Sequence, residues 1–149
     1  MTVLCDSPLG PLGADAQDGR VTRLRWGGGT LNVGPLADQL RTELRDYFAG
    51  MRTVFTVPLA IRGTTFQQAF LTALTDIPFG ETRTYGDLAA CLGVSAQAIG
   101  QACGANPIPI LIPCHRVLGA TGLGGFSGPR GIEDKVALLR IERAGGLLI

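Results

Sequence analysis

The stretch Asn106 to Val117, NPIPILIPCHRV, sets the chain's only histidine directly after a cysteine. A thiol with a pKa of about 8.5 is mostly protonated at neutral pH, so a nucleophilic cysteine needs a base, a cation or a helix N-terminus beside it. His115 is the one imidazole that Cys114 could use. Neighbours in a regular strand face opposite ways, but the prolines before Cys114 and the glycines after Val117 favour an irregular turn in which the two side chains approach, directly or across a water. Such a base is ordinarily oriented by a carboxylate, and Glu142 on the last helix is one candidate that only tertiary folding could deliver. The structural alternative makes Cys114 a small buried hydrophobe and His115 a hydrogen-bonded neighbour.

The elements around this pair read as two regions, residues 1–63 and 64–149. In the first, RVTRLRW follows the turn signal DG and sets Thr22, Leu24 and Trp26 on one face against Arg23 and Arg25. FTVPLAIRG alternates Phe55, Val57, Leu59 and Ile61 with Thr56, Pro58, Ala60 and Arg62, so both segments predict half-buried strands. Between them, Pro35 opens an amphipathic helix carrying Leu36, Leu40 and Leu44 and closing on Gly50. From Thr64 the pattern changes to short helices. TTFQQAFLTALTDIP carries a capping box, Thr64 with Gln67 or Thr65 with Gln68, an apolar face of Phe66, Phe70 and Leu74, and a stop at Pro78. TYGDLAACLG is capped by Thr84, with Asp87 three residues on, and ends at Gly93. Ser95 caps AQAIGQACGAN, giving the outline of a helix-turn-helix or, equally, of a plain helical hairpin. A last helix, GIEDKVALLRIE, sets Ile132, Val136 and Leu139 on one side.

With 149 residues and 46% hydrophobic content, the chain can bury a core without staples. The opening MTVLCDSPLG has no basic n-region or apolar h-region, and no apolar run approaches a bilayer span, so a cytoplasmic protein with reduced cysteines and no membrane partner is expected. Cys5, Cys91, Cys103 and Cys114 lack close C-x-x-C pairing, which argues against a metal. The net charge is +1 and the charges from Gly63 onward balance, which argues against a broad, nonspecific nucleic-acid grip.

The segments IPFGETRTYGDLA, NPIPILIPCHRVLG, GGFSG and ALLRIE, together with the SPLGPLG opening and GTTFQQAFLTAL, resemble the O6-alkylguanine-DNA alkyltransferases over nearly the whole chain, most specifically at PCHRV. The resemblance implies an α/β fold with a ribonuclease-H-like small sheet and helix over 1–63. Over 64–149 it implies a mainly helical region with a helix-turn-helix. It implies a monomer that acts on double-stranded DNA containing O6-alkylguanine without a cofactor, with the nucleotide flipped into a pocket. Cys114 would take the alkyl group once and irreversibly, and O4-alkylthymine is a further candidate substrate. By the same likeness His115 deprotonates the thiol with Glu142 behind it, Tyr85 helps neutralise the departing base, and Asn106 bridges the helix pair to the active-site loop. Val117, Ser127, Phe126, Cys103 and Leu123 would form the substrate pocket. Tyr85, Ser95, Gln97, Ala98, Gly100, Gln101, Gly104 and Arg116 would form the DNA-binding set, the small residues letting the backbone approach the minor groove. Arg116 is also expected to hold its loop by pairing with a carboxylate.

Departures are as informative. Relatives carry an arginine that fills the gap left by the flipped base, in a pattern like AARAVG, where this chain reads SAQAIG with Gln97. Glutamine can hydrogen-bond an orphaned base but brings neither charge nor a stacking guanidinium, so weaker DNA binding or slower flipping is expected. The turn between the two helices is short, and the N-terminal zinc ligands of some members are missing. Three rival functions would draw on part of the same residues. A cysteine hydrolase would also employ Cys, His and an acid, a noncatalytic lesion binder would flip without transferring, and a protein-interaction module would leave PCHRV unexplained.

Overall fold

The computed structural model describes residues 1–144; residues 145–149, the end of the second region, lie outside the described residues. The chain is mixed α/β and divides into two units, Met1–Ala60 and a second beginning at Ile61. Among the described residues no helix is long and apolar enough to cross a membrane.

The first unit is built on an antiparallel hairpin of β1 (Leu12–Gln17) and β2 (Arg20–Trp26). Its turn holds Asp18 at φ 53° and Gly19 at φ 76°, the paired positive values that let a two-residue turn follow the strand twist. The register runs Asp15 to Arg23 and then Ala16 to Val21, which leaves Thr22 as an extra, bulged residue. The bulge breaks the expected alternation: Val21 and Leu24 are buried, while Thr22 and Trp26 are only half-buried. β1 escaped the pattern reading because LGADAQ has little strand propensity. Its Gly13 is required by crowding, since a Cβ there would lie 2.3 Å from the Gly29 nitrogen.

FTVPLAIRG is not a regular strand. Only Leu59 forms a bridge, alongside Val21, through Val21 N–H to Pro58 O (2.9 Å) and Ala60 N–H to Val21 O (2.9 Å). Pro58 has no N–H to give, and those of Thr56 and Val57 are taken by the Glu43 carboxylate at 2.7 and 3.2 Å. Glu43 sits on α1 (Pro35–Phe48), which opens with proline and buries Ala37, Leu40, Leu44 and Tyr47.

The second unit begins with α2 (Thr65–Thr75), where the Thr64 and Gln67 pair is the capping box that forms and Phe70, Leu71 and Leu74 are buried. β3 (Arg83–Thr84) runs directly into α3 (Tyr85–Leu92), capped reciprocally by Thr84 and Asp87 and closed by left-handed Gly93. Ser95 caps α4 (Ala96–Gly104), accepting from the Ala98 N–H at 3.1 Å. A 3₁₀ turn, Cys114–Arg116, leads into β4 (Val117–Leu118), and α5 (Ile132–Ile141) closes the described fold. β3 and β4 pair in parallel, Arg83 with Val117 and Thr84 with Leu118, which brings the start of α3 beside the Cys-His turn.

α5 buries only part of the face expected of it: Leu139 is covered and Val136 half-buried. Ile132 is 46% exposed, and the covered face carries Asp134, Lys135, Leu138 and Leu139. Two charged residues on the inner face mislead a reading based on apolar spacing alone.

Candidate active site

The run from Ile108 to Val117 is buried throughout and is a folded turn, not a strand. Asn106 braces it from inside, donating from Nδ2 to Ile112 O at 2.9 Å and accepting the Ile108 N–H at Oδ1 at 3.0 Å. Between these anchors Ile110 holds φ 71°, a strained conformation for a β-branched residue and one that the brace must enforce.

At the end of this turn, two side chains converge on Glu142. His115 Nε2 is 2.6 Å from Glu142 Oε2. Arg116 grips the same carboxylate with both arms of its fork, Nε to Oε1 at 2.8 Å and a terminal nitrogen to Oε2 at 3.1 Å. Its other terminal nitrogen donates to Ile77 O at 2.6 Å, tying the turn to the end of α2, and its guanidinium lies 5.8 Å from the Phe79 ring centre.

Protonation states follow from this geometry. Burial alone would raise the Glu142 carboxyl, but the bonds and charges of His115 and Arg116 outweigh it and hold its pKa at about 2. Burial lowers the His115 pKa, only partly offset by Glu142, so the imidazole is neutral. An ionised carboxylate can only accept, so the ring proton is assigned to Nε2 and the lone pair to Nδ1. Nδ1 is buried and has no hydrogen-bond partner among the described residues, which leaves it available as a base. Burial raises the Cys114 thiol, while a hydrogen bond from Asn106 and the charge of Lys135 pull it back.

Cys114 opens onto a cavity of about 460 Å³ lined also by Tyr85, Gly100, Cys103, Gly104, Gly124, Gly125, Phe126 and Ser127. Two consecutive buried charges on α5 hold the loop that forms one wall. Asp134 accepts from Arg130 N–H and Nε, both at 3.0 Å, and a Cβ on Gly128 would lie 2.6 Å from its Oδ2. Lys135 donates to Val117 O at 2.6 Å and Gly125 O at 3.1 Å, and its ammonium lies 5.8 Å from the Tyr85 ring centre. Burial brings the Lys135 pKa down to about 8. Lys135 was missed from sequence because nothing distinguishes a buried lysine at helical spacing from a solvated one. Gly124, at φ 73°, has the Tyr85 hydroxyl 2.6 Å from where a Cβ would stand, so only glycine fits there. Burial raises the Tyr85 pKa, and its hydroxyl stays protonated at neutral pH.

The expected pocket residues Cys103, Phe126 and Ser127 line the cavity with Cys114 and Tyr85. Val117 is fully buried and contributes its carbonyl to Lys135, and Leu123, half-buried, is not among the lining residues. Of the expected DNA-facing set, Ser95 and Gln97 are exposed at the start of α4. Gly100 and Gly104 belong to the cavity wall. Ala98 and Gln101 line a separate groove of about 550 Å³ with Phe66, Phe70 and Asn106. Arg116 corrects its DNA-facing expectation: it is 7% exposed with its guanidinium committed to Glu142 and Ile77, and this carboxylate pair is the one expected of it as a loop holder. Among the described residues no group of His, Cys, Asp and Glu is arranged to hold a metal ion.

Comparison with known proteins bears on this arrangement. Residues 65–144 match the model of the 6-O-methylguanine DNA methyltransferase, DNA binding domain. The methylated-DNA–protein-cysteine methyltransferase of Mycobacterium tuberculosis (strain ATCC 25618 / H37Rv) is 43% identical over 93% of this chain and 90% of its own. The constitutive enzyme of that name from Bacillus subtilis (strain 168) is 39% identical over 93% and 92%. The crystal structure of Mycobacterium tuberculosis OGT in complex with DNA superposes with a TM-score of 0.81 at 43% identity, covering 93% of this chain and 90% of that one. The chain belongs to the O6-methylguanine-DNA methyltransferase family.

Proposed function

We propose that this protein repairs DNA directly, as a methylated-DNA–protein-cysteine methyltransferase, by moving the alkyl group of an O6-alkylguanine onto Cys114. The observation that carries the assignment to Cys114 is its place on the cavity wall, next in the chain to a neutral buried imidazole whose Nε2 is fixed by an ionised carboxylate. The Cys114 proton passes to His115 Nδ1, directly or through a water, and the sulfur attacks the alkyl carbon in line. The S–C bond forms as the C–O6 bond breaks, and the departing guanine anion takes a proton from the Tyr85 hydroxyl, leaving neutral guanine. His115 then returns the proton to Tyr85, so the thiol proton ends on guanine. No residue of the site can cleave the thioether, so each molecule reacts once.

Lys135 works as a positioning residue, setting the Gly125 loop against Val117 and placing a positive charge near the developing thiolate. Guanine O6 lies inside a stacked duplex, so reaction in this cavity requires the nucleotide to be flipped out. α3 and α4 act as a helix-turn-helix with Gln97, Ser95 and the small residues of α4 toward the DNA. The working division is a ribonuclease-H-like domain over 1–63 and an alkyltransferase domain over 64–149, acting in the cytoplasm as a monomer. O4-alkylthymine offers the same in-line chemistry and is a second substrate on this reading.

Intact-protein mass spectrometry after mixing with a duplex bearing one O6-methylguanine tests the assignment. One added methyl on the Cys114 peptide, missing in Cys114→Ser, is the expected result. Lesion DNA bound preferentially with no added mass would make the protein a sensor and sink the transfer reading.

A further inference from the structure

The cavity holds a second thiol that the transfer reaction does not use. α4 presents Gly100, Cys103 and Gly104 to it, the three positions of one helical face. A Cβ on either glycine would meet nothing within 4 Å, so the cavity is open along that face and Cys103 supplies its one functional side chain. Cys103 and Cys114 are both free thiols, and the Lys135 ammonium acts on both sulfurs. Burial first, and then the neighbouring Cys114 sulfur, push the Cys103 pKa up to about 12. Cys103 therefore rests as a thiol at neutral pH.

A sulfur that can attack an alkyl carbon can also attack a peroxide. Left alone, the resulting sulfenic acid proceeds to sulfinic acid, which is irreversible without a dedicated repair enzyme. For a single-use acceptor, that destroys the molecule before it meets a lesion. We propose that Cys103 is a resolving thiol for Cys114. A hydroperoxide oxidises Cys114 to the sulfenic acid, its O–O bond breaking and one oxygen leaving as water or alcohol. The Cys103 proton passes to the sulfenic hydroxyl as the Cys103 sulfur attacks the Cys114 sulfur: the S–S bond forms, the S–O bond breaks, and water leaves. Two thiols are oxidised by two electrons and one peroxide is reduced. A thiol reductant reopens the disulfide and restores the acceptor.

The covalent step can be tested whether or not the transfer reading holds; only its consequence for repair rests on that reading. The full chain is exposed to hydrogen peroxide, digested without reduction and mapped by mass. A Cys103–Cys114 cross-linked peptide, two hydrogens lighter than its parts, is expected. Methyl-acceptor capacity falls in proportion to the cross-linked fraction and returns with dithiothreitol. In Cys103→Ala, compared with its own untreated capacity, the Cys114 peptide gains oxygens and dithiothreitol does not restore the lost capacity. Wild-type Cys114 carrying added oxygens while Cys103 still reacts with iodoacetamide would overturn the proposal, as would a cross-link to Cys91 or Cys5 instead. Should the variant fail to fold, the wild-type peptide map decides alone. A disulfide in a protein that accepts no methyl group would refute the transfer reading and leave the thiol pairing standing.

Discussion

Each unit of the protein buries one glutamate almost completely, Glu43 in the first and Glu142 in the second, both 2% exposed. In both, burial works against the charge and hydrogen bonds overcome it, so each carboxyl is held below its ordinary value. The difference lies in the partners. Glu43 accepts from the Thr56 hydroxyl at 2.7 Å, the Thr56 and Val57 amides, and the Gln39 side chain at 2.8 Å, all neutral groups. It fastens a loop. Glu142 is gripped by a guanidinium and an imidazole, and the imidazole has a second nitrogen. The same acceptor-only group closes a structure in one place and prepares a base in the other, according to whether its partner still has a lone pair to offer.

Substitutions should separate the two roles. Glu142→Gln leaves Arg116 buried with half its pairing and His115 without its orienting charge. A loss of about 3–5 kcal/mol in urea unfolding is expected from the unpaired charge, with a fall of about 10²–10⁴ in the single-turnover transfer rate from the lost base. Glu43→Gln should cost about 1–3 kcal/mol through its imperfectly satisfied amides and leave the transfer rate per folded molecule unchanged. A slowed Glu43→Gln reaction would break the contrast.

Acid should expose the same pair. The Glu142 carboxyl titrates at about 2 in the folded protein against 4.5 for its unperturbed value, so its stabilisation is complete above about 4.5 and lost as pH falls toward 2. Unfolding curves across that window should flatten in Glu142→Gln relative to wild type.

Lys135 shifts in the same direction for the opposite reason, because burial disfavours its charged form. Its folded pKa of about 8 lies below the ordinary 10.5, so stability rises with pH between those values as the buried ammonium sheds its proton, and that rise should vanish in Lys135→Met. The wild-type transfer rate should break near pH 8 as the ammonium near Cys114 is lost, with Lys135→Met slower and without the break. The smallest effect is at exposed Gln97: Gln97→Arg should speed reaction with duplex severalfold and barely alter reaction with free O6-methylguanine base. Equal rates on duplex would count against an arginine deficit.

Much of the site was legible before any coordinates because the chemistry demanded rare residues in company. One histidine beside one cysteine, with prolines to bend the chain, marked a nucleophile and its base, the resemblance to the alkyltransferases put Glu142 behind them, and the capping pairs Thr64–Gln67 and Thr84–Asp87 marked helix starts that form as written. What sequence could not show was tertiary. Periodicity cannot reveal that Asp134 and Lys135 face inward, because their burial is licensed by carbonyls and an arginine elsewhere in the chain. Nor can it reveal a bulge at Thr22 or a proline-bearing segment whose amides are claimed by a glutamate.

The contacts that assemble the site are also distant along the chain. His115 meets a residue 27 positions away and Arg116 one 39 positions away, whereas the helix caps close over three. Loop closure of that span must precede any reward, so long-range contacts of this kind form late. A refolding chain should regain its helical signal first and its capacity to accept a methyl group only afterwards, so that the last event of folding is also the arming of the reagent.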